Sequence, residues 1–160
     1  MRPFLTFALR DLLVIAMMLV AWWAEGRWAG VTGTLLAVAA GVLTTVVAFI
    51  AHEWGHLVGC WLSGARVHAA DRLLSVLLFS FNVKHNDRRQ FLALSWGGYL
   101  ASLLSLGAIA LTVPTDRLAG WVTWSLTAVG LVVTFVLEVP TTIRVMRGAP
   151  LPRGIAYVDR

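Results

Sequence analysis

Charge is scarce in this sequence. Asp, Glu, Lys and Arg make up 13% of the 160 residues, hydrophobic residues make up 59%, and mean hydropathy is +0.79. A soluble domain carries nearer a quarter charged residues, so the composition is that of a membrane-embedded chain. Cysteine is nearly absent. The single Cys60 excludes an internal disulfide framework and any CxxC metal motif. Lysine is also nearly absent, with Lys84 against twelve Arg, a bias that points to a GC-rich bacterial genome. The net charge of +5 would suit nucleic acid. The charges are confined to the segments between hydrophobic runs, however, so membrane topology accounts for them and a nucleic-acid partner is not expected. The length allows one domain.

What is present in abundance is long apolar sequence. Four segments stand out, from about Leu12 to Trp23, Val31 to Ser63, Phe91 to Val113 and Ala119 to Val139. A spanning helix needs roughly 20 apolar residues, which the last three supply. The first is interrupted by Arg10 and Asp11, beyond which it would extend to Phe4; an amphipathic or signal-anchor helix is the alternative there. It has no small-x-small cleavage site before Glu25, so it is read as retained. With four spans, one side collects Arg2, Arg10, Arg66, Arg72, Lys84, Arg88, Arg89, Arg144, Arg147, Arg153 and Arg160, leaving Arg27 and Arg117 for the other. The positive-inside rule then places both termini and the middle loop in the cytoplasm of a multi-pass cell-membrane protein. Trp22, Trp23, Trp28, Trp121 and Trp124 would mark the outer interface, and Trp54, Trp61 and Trp96 the inner one.

The chemistry-bearing motif is His52-Glu53-Trp54-Gly55-His56, at the cytoplasmic end of the second span. HExxH sets two imidazoles at i and i+4 on one helical face, where both can hold one zinc, and the Glu between them can act on a water at the metal. The chain has only four His and three Glu, and burying these in an apolar span needs compensation. Catalytic zinc commonly takes a third protein ligand, and depth selects it. Gly33 to His52 and Ala119 to Glu138 are both 19 residues, so at 1.5 Å per residue Glu138 and the His pair both lie roughly 28 Å from the outer face. Pro140 would end or kink the helix just beyond. Asp71, Asp87, Cys60 and His85 remain alternative third ligands. For Asp71 and Asp87 ion pairing in a polar loop is the plainer role. Cys60 continues the i, i+4, i+8 series from His52 and His56, but three ligands on one straight helix span about 12 Å, so a small buried thiol is its plainer role. Asp11, Glu25 and Asp116 should not reach the metal. His68 and His85 are expected to be solvated loop residues.

The segment from Ala65 to Gln90 carries a second pattern. Phe79, Phe81 and Val83 alternate with Ser80, Asn82 and Lys84, a period-2 strand signal. A re-entrant or interfacial β-segment here could face the site and pair with an unwound substrate; an amphipathic interfacial loop is the alternative. The expected fold is thus an all-α membrane protein of about four transmembrane helices with a short β-segment after the HExxH helix.

The stretch Ala51-His52-Glu53-Trp54-Gly55-His56-Leu57-Val58-Gly59 closing an apolar helix resembles the site-2-protease family of intramembrane zinc metalloproteases. The resemblance covers about 100 residues, spans two to four. It implies a three-helix core, zinc on His52 and His56, and Glu53 as the catalytic acid/base. Gly98-Tyr99-Leu100-Ala101-Ser102 is similar to the small-residue pattern of the family's middle helix. The chain departs from the family at the third ligand. An Asp-Gly motif following Asn and Pro is usual there, and Leu137-Glu138-Val139-Pro140 stands in its place. Residues 1–30 then form an N-terminal anchor helix, 31–145 a metalloprotease-like core and 146–160 a cytoplasmic tail.

The expected activity is hydrolysis of peptide bonds in membrane-embedded protein substrates. One Zn²⁺ per chain would be held by His52, His56 and Glu138, with Glu53 taking and returning a proton. Two rivals are a catalytically inactive adaptor of the same fold, which the non-standard acid would favour, and a metal transporter. The outer halves of the spans are almost free of the ionisable groups that a transporter needs.

Overall fold

The computed structural model describes residues 2–154 and 156–158. In chain order the elements are α1 (Arg2–Glu25), α2 (Gly30–Leu62), β1 (Val67–Ala69), β2 (Phe79–Asn82), α3 (Arg88–Thr112), α4 (Leu118–Leu137), α5 (Val139–Met146) and β3 (Tyr157–Val158). Four helical stretches, Phe4–Glu25, Gly30–Leu62, Arg88–Thr112 and Leu118–Met146, are long and apolar enough to cross a membrane. Helix α1 runs without a break through Arg10 and Asp11. The two side chains neutralise each other, Arg10 Nε lying 2.7 Å from Asp11 Oδ1.

Helix α2 is the axis of the bundle. Its 33 residues measure about 50 Å at 1.5 Å per residue, well over the roughly 30 Å of a hydrocarbon core. It ends where the chain can turn most cheaply. Gly64 has φ +68, its N–H bonds to the Trp61 carbonyl, and the Ala65 N–H reaches the Cys60 carbonyl at 2.8 Å. This 5→2 and 6→1 pair is the Schellman ending, for which glycine carries no Cβ penalty. Helix α3 begins with a capping box, Asp87 accepting from the Gln90 N–H and Gln90 accepting from the Asp87 N–H.

Contact between α2 and α3 depends on missing side chains. A Cβ on Gly55 would lie 2.5 Å from the Gly97 carbonyl oxygen and 2.5 Å from the Ala101 Cβ. One on Gly59 would strike the Ala93 carbonyl, and one on Gly97 the Gly55 carbonyl. Small residues in apolar helices allow this approach. Gly41 does the same for α4, where a Cβ would meet the Ala119 carbonyl at 2.7 Å. Helix α1 lies along α2, and Trp22 Nε1 donates to Thr44 Oγ1 at 2.8 Å.

The two ends of the bundle are filled differently. Away from the motif the buried cluster is Ala21, Ala37, Ala40 and Ala119. At the motif end it is Phe7, Leu57, Cys60, Leu78, Phe79, Phe81, Phe91, Leu94 and Val145. A three-stranded sheet, in the order β1-β2-β3, caps that end. Strand β2 pairs antiparallel with β1 and parallel with β3. The strand expected from the alternating pattern is therefore the central one, paired with β1 along Phe79–Phe81 and with β3 at Phe81 and Asn82.

The fourth apolar segment is interrupted at one residue. Helix α4 stops at Leu137, and α5 begins at Val139 with Pro140 in its first turn. Proline has no N–H for the Val136 carbonyl and its ring crowds that position. The chain continues helically on either side, with Glu138 N–H to the Thr134 carbonyl and Thr142 N–H to the Glu138 carbonyl, both 2.9 Å. Glu138 is the residue between the two helices.

Gly59→Val should therefore lower stability by about 1–3 kcal/mol through overpacking of α2 on α3. Gly107→Ala, in α3 with nothing within 4 Å of the added carbon, should be neutral or stabilising by up to about 1 kcal/mol. Thermal melts in one detergent compare the two.

Candidate metal centre

One turn of α2 brings His52 and His56 side by side. Their Nε2 atoms are 2.9 Å apart. The residue that caps the C-terminus of α4 supplies the third group, with Glu138 Oε1 3.2 Å from His52 Nε2 and Oε2 3.6 Å from His56 Nε2. Ligand atoms of these three residues all lie within 4.8 Å of one another, close enough to bind one metal ion. Tetrahedral coordination with bonds of 2.0–2.1 Å puts neighbouring ligand atoms about 3.3 Å apart. The three separations bracket that value.

The other nitrogen of each imidazole is engaged by α3. His52 Nδ1 is 3.1 Å from the Gly98 carbonyl and 2.8 Å from Ser102 Oγ, and His56 Nδ1 is 2.9 Å from the Leu94 carbonyl. A carbonyl can only accept, so each Nδ1 carries the proton and each Nε2 presents a lone pair. Two imidazole lone pairs and a carboxylate then point at one spot with no donor among them. A shared cation is what such a set accommodates. The outer hydrogen bonds are the type that orient metal-ligating histidines. A Cβ on Gly98 would run into the His56 ring, so this glycine is also required for the imidazole to fit.

Glu53 stands beside the triad rather than in it. It is buried, and the Leu78 backbone lies close to its carboxylate. Together with His56 and Glu138 it lines a cavity of about 320 Å³ whose other walls include Phe79, Phe81, Thr142 and Tyr157. On the far side of the triad a second, mainly apolar cavity of about 230 Å³ is lined by Thr45, Phe49, His52, Ser102, Thr127 and again Glu138. Glu138 and the His pair partition the two spaces. Burial, reinforced by the negative charge of Glu138, pushes the Tyr157 phenol up to about 12, so at neutral pH it remains an O–H donor in the cavity wall.

The alternative ligands lie elsewhere. Cys60 is buried in the aromatic cluster one turn beyond His56. Asp87 caps α3, Asp71 is exposed, and His85 Nδ1 is 3.0 Å from Asn82 Oδ1. His68 sits in β1, away from the triad. Glu25 faces Arg117 at the opposite end of the bundle, with Oε2 and Nη1 3.6 Å apart. Ser102, the carbonyls of Leu94 and Gly98, and Tyr157 were not marked as site groups by the sequence. The carbonyls have no sequence signature, and Tyr157 arrives from the tail through β3. Asp11 also lies closer to the motif than its place in α1 suggested, accepting from Trp54 Nε1 at 2.7 Å.

Compared with protein-family models, with curated proteins and with solved structures, the chain gives no significant match.

Purified protein should hold about one metal ion per chain by elemental analysis. His56→Ala and Glu138→Ala should lose it, and Glu53→Gln should keep it. Ser102→Ala should weaken affinity by up to about tenfold, the low end for an outer-sphere partner, because the Gly98 carbonyl still holds His52.

Proposed function

We propose that this chain is an intramembrane zinc metalloprotease similar to the site-2-protease family, which hydrolyses peptide bonds of membrane-embedded proteins near the cytoplasmic face. The observation that carries the reading is the His52–His56–Glu138 group with Glu53 beside it on a shared cavity, set within helices long and apolar enough to span a bilayer. A structural metal site has no need of a buried carboxylate placed next to the ligands but outside the ligand set. A hydrolase does, because its acid/base must reach the water without occupying the metal.

His52, His56 and Glu138 would hold the ion, leaving the cavity side open. Zinc there supplies Lewis acidity to a water and to the scissile carbonyl. Glu53 accepts a proton from the attacking water and returns one to the departing amide nitrogen. The water oxygen joins the carbonyl carbon, the C–N bond breaks, and the water's hydrogens end on the new carboxyl and amine. A peptide bond inside a helix is shielded by its own hydrogen bonding, so the substrate has to unwind locally before it enters. The cavity walls from β2 and the β3 tail exclude bulk water around that segment, which strengthens the local electrostatics. The excess of Arg and Lys at the motif end fits the cytoplasmic side.

The deciding experiment incubates the purified protein, reconstituted in proteoliposomes, with single-span membrane proteins. Wild type should cleave at least one of them, and the products' new termini should map at the cytoplasmic edge of the span. Glu53→Gln should retain its zinc yet lose about 100-fold or more of the rate, the scale of a general base. Cleavage that persists in Glu53→Gln, or zinc-free wild-type protein after zinc is supplied, would sink this reading.

A further inference from the structure

The charged pair that breaks the first apolar segment has a use that neutralising itself does not explain. Asp11 is 3% exposed, and both of its oxygens are engaged. Arg10 Nε bonds Oδ1 at 2.7 Å and Trp54 Nε1 bonds Oδ2 at 2.7 Å. A buried acid in an apolar helix needs that compensation. Arg10 goes further. Its Nη1 donates to the carbonyls of Leu73, at 2.6 Å, and Ser75, at 3.2 Å. These carbonyls belong to the loop between β1 and β2. At its neck the Ala70 N–H bonds the Leu78 carbonyl at 3.0 Å. Its apex has little other support, with Leu74 91% and Val76 71% exposed. Its return arm passes Leu77, which lines the cavity together with Glu53, and ends at Leu78, which is buried and whose backbone lies close to the Glu53 carboxylate.

We propose that Arg10 and Asp11 are positioning residues for Glu53, fixing the 70–78 loop to α1 so that its return arm, where Leu77 lines the same cavity as Glu53, keeps the Glu53 carboxylate in place. The proposal builds on the hydrolase reading above for the use of Glu53, but the mechanical link stands apart from it. Asp11 grips Trp54, the residue next to Glu53, while Arg10 grips the loop that contacts Glu53 itself. The pair therefore fixes the carboxylate from both sides, through α2 and through the loop. A guanidinium suits this task because its planar fork can bond one carboxylate and two carbonyls together in fixed geometry.

The test is hydrogen–deuterium exchange on the full-length protein in detergent, read on peptides covering 73–79, for wild type, Arg10→Gln, Arg10→Lys and Trp54→Phe. Arg10→Gln should speed exchange there by about tenfold or more, as expected when a local tie is lost without global unfolding. Zinc content and melting temperature should stay near wild type, and Arg10→Lys should restore part of the protection. Trp54→Phe, which removes only the indole N–H, should give a smaller rise at the same peptides. In the cleavage assay Arg10→Gln should lower kcat about tenfold or more with KM little changed, because a misdirected base affects the chemical step rather than binding. Unchanged exchange at 73–79 in Arg10→Gln overturns the proposal, as does faster exchange spread evenly over all helices. If Arg10→Gln fails to fold, Trp54→Phe decides by the same readout. A wild type that holds zinc and shows the exchange pattern but cleaves nothing would overturn the hydrolase reading alone and leave the tie intact.

Discussion

Everything at the metal centre depends on how closely α3 can approach α2. Gly55, Gly59 and Gly97 remove the Cβ atoms that would hold the two backbones apart. Only at that separation can the carbonyls of Leu94 and Gly98 receive the Nδ1 protons of His56 and His52. Those two hydrogen bonds fix the tautomer of both imidazoles and turn both Nε2 lone pairs to one point. The middle helix thus contributes no group to the candidate ligand set, yet it sets the direction of two.

A second constraint follows from the scarcity of charge. In an apolar bundle each ionisable group that is buried must meet a partner, and the partners here form two linked sets. One is His52, His56 and Glu138, which converge without a donor and so accommodate a cation. The other is Arg10, Asp11 and Trp54, which closes on itself and reaches out to the loop carbonyls. Glu53 lies between them. The same chemistry that makes charge costly in the spans brings most of their charged groups to one end.

The two ends of the bundle have correspondingly different texture. Alanines fill one end, where helices need only stay together. Aromatic side chains, the small sheet and the tail fill the other, where the cavity beside Glu53 needs walls. Pro140 lies in the first turn of α5, and Glu138, between α4 and α5, reaches across to His52 and His56 of α2.

The sequence alone located the four apolar segments, carried a strand signal over Phe79–Val83 with an interfacial loop as its alternative, and favoured Glu138 over other groups as the partner of His52 and His56. Each of these follows from a one-dimensional quantity: hydropathy over some twenty residues, period-2 alternation, or residue count converted into depth along a helix. It did not determine that β2 is central rather than an edge, since the partner strands are too short to show a period and β3 comes from the tail. The hydrogen bonds from α3 to the histidines were also out of its reach, because they use backbone carbonyls that every residue possesses. Arg10 and Asp11 looked like an interruption of a span because their partners, Trp54 and the 73–75 carbonyls, lie more than forty residues away in sequence. Periodicity along the chain reports which residues share a face. Only the packing of one face on another decides which atoms meet.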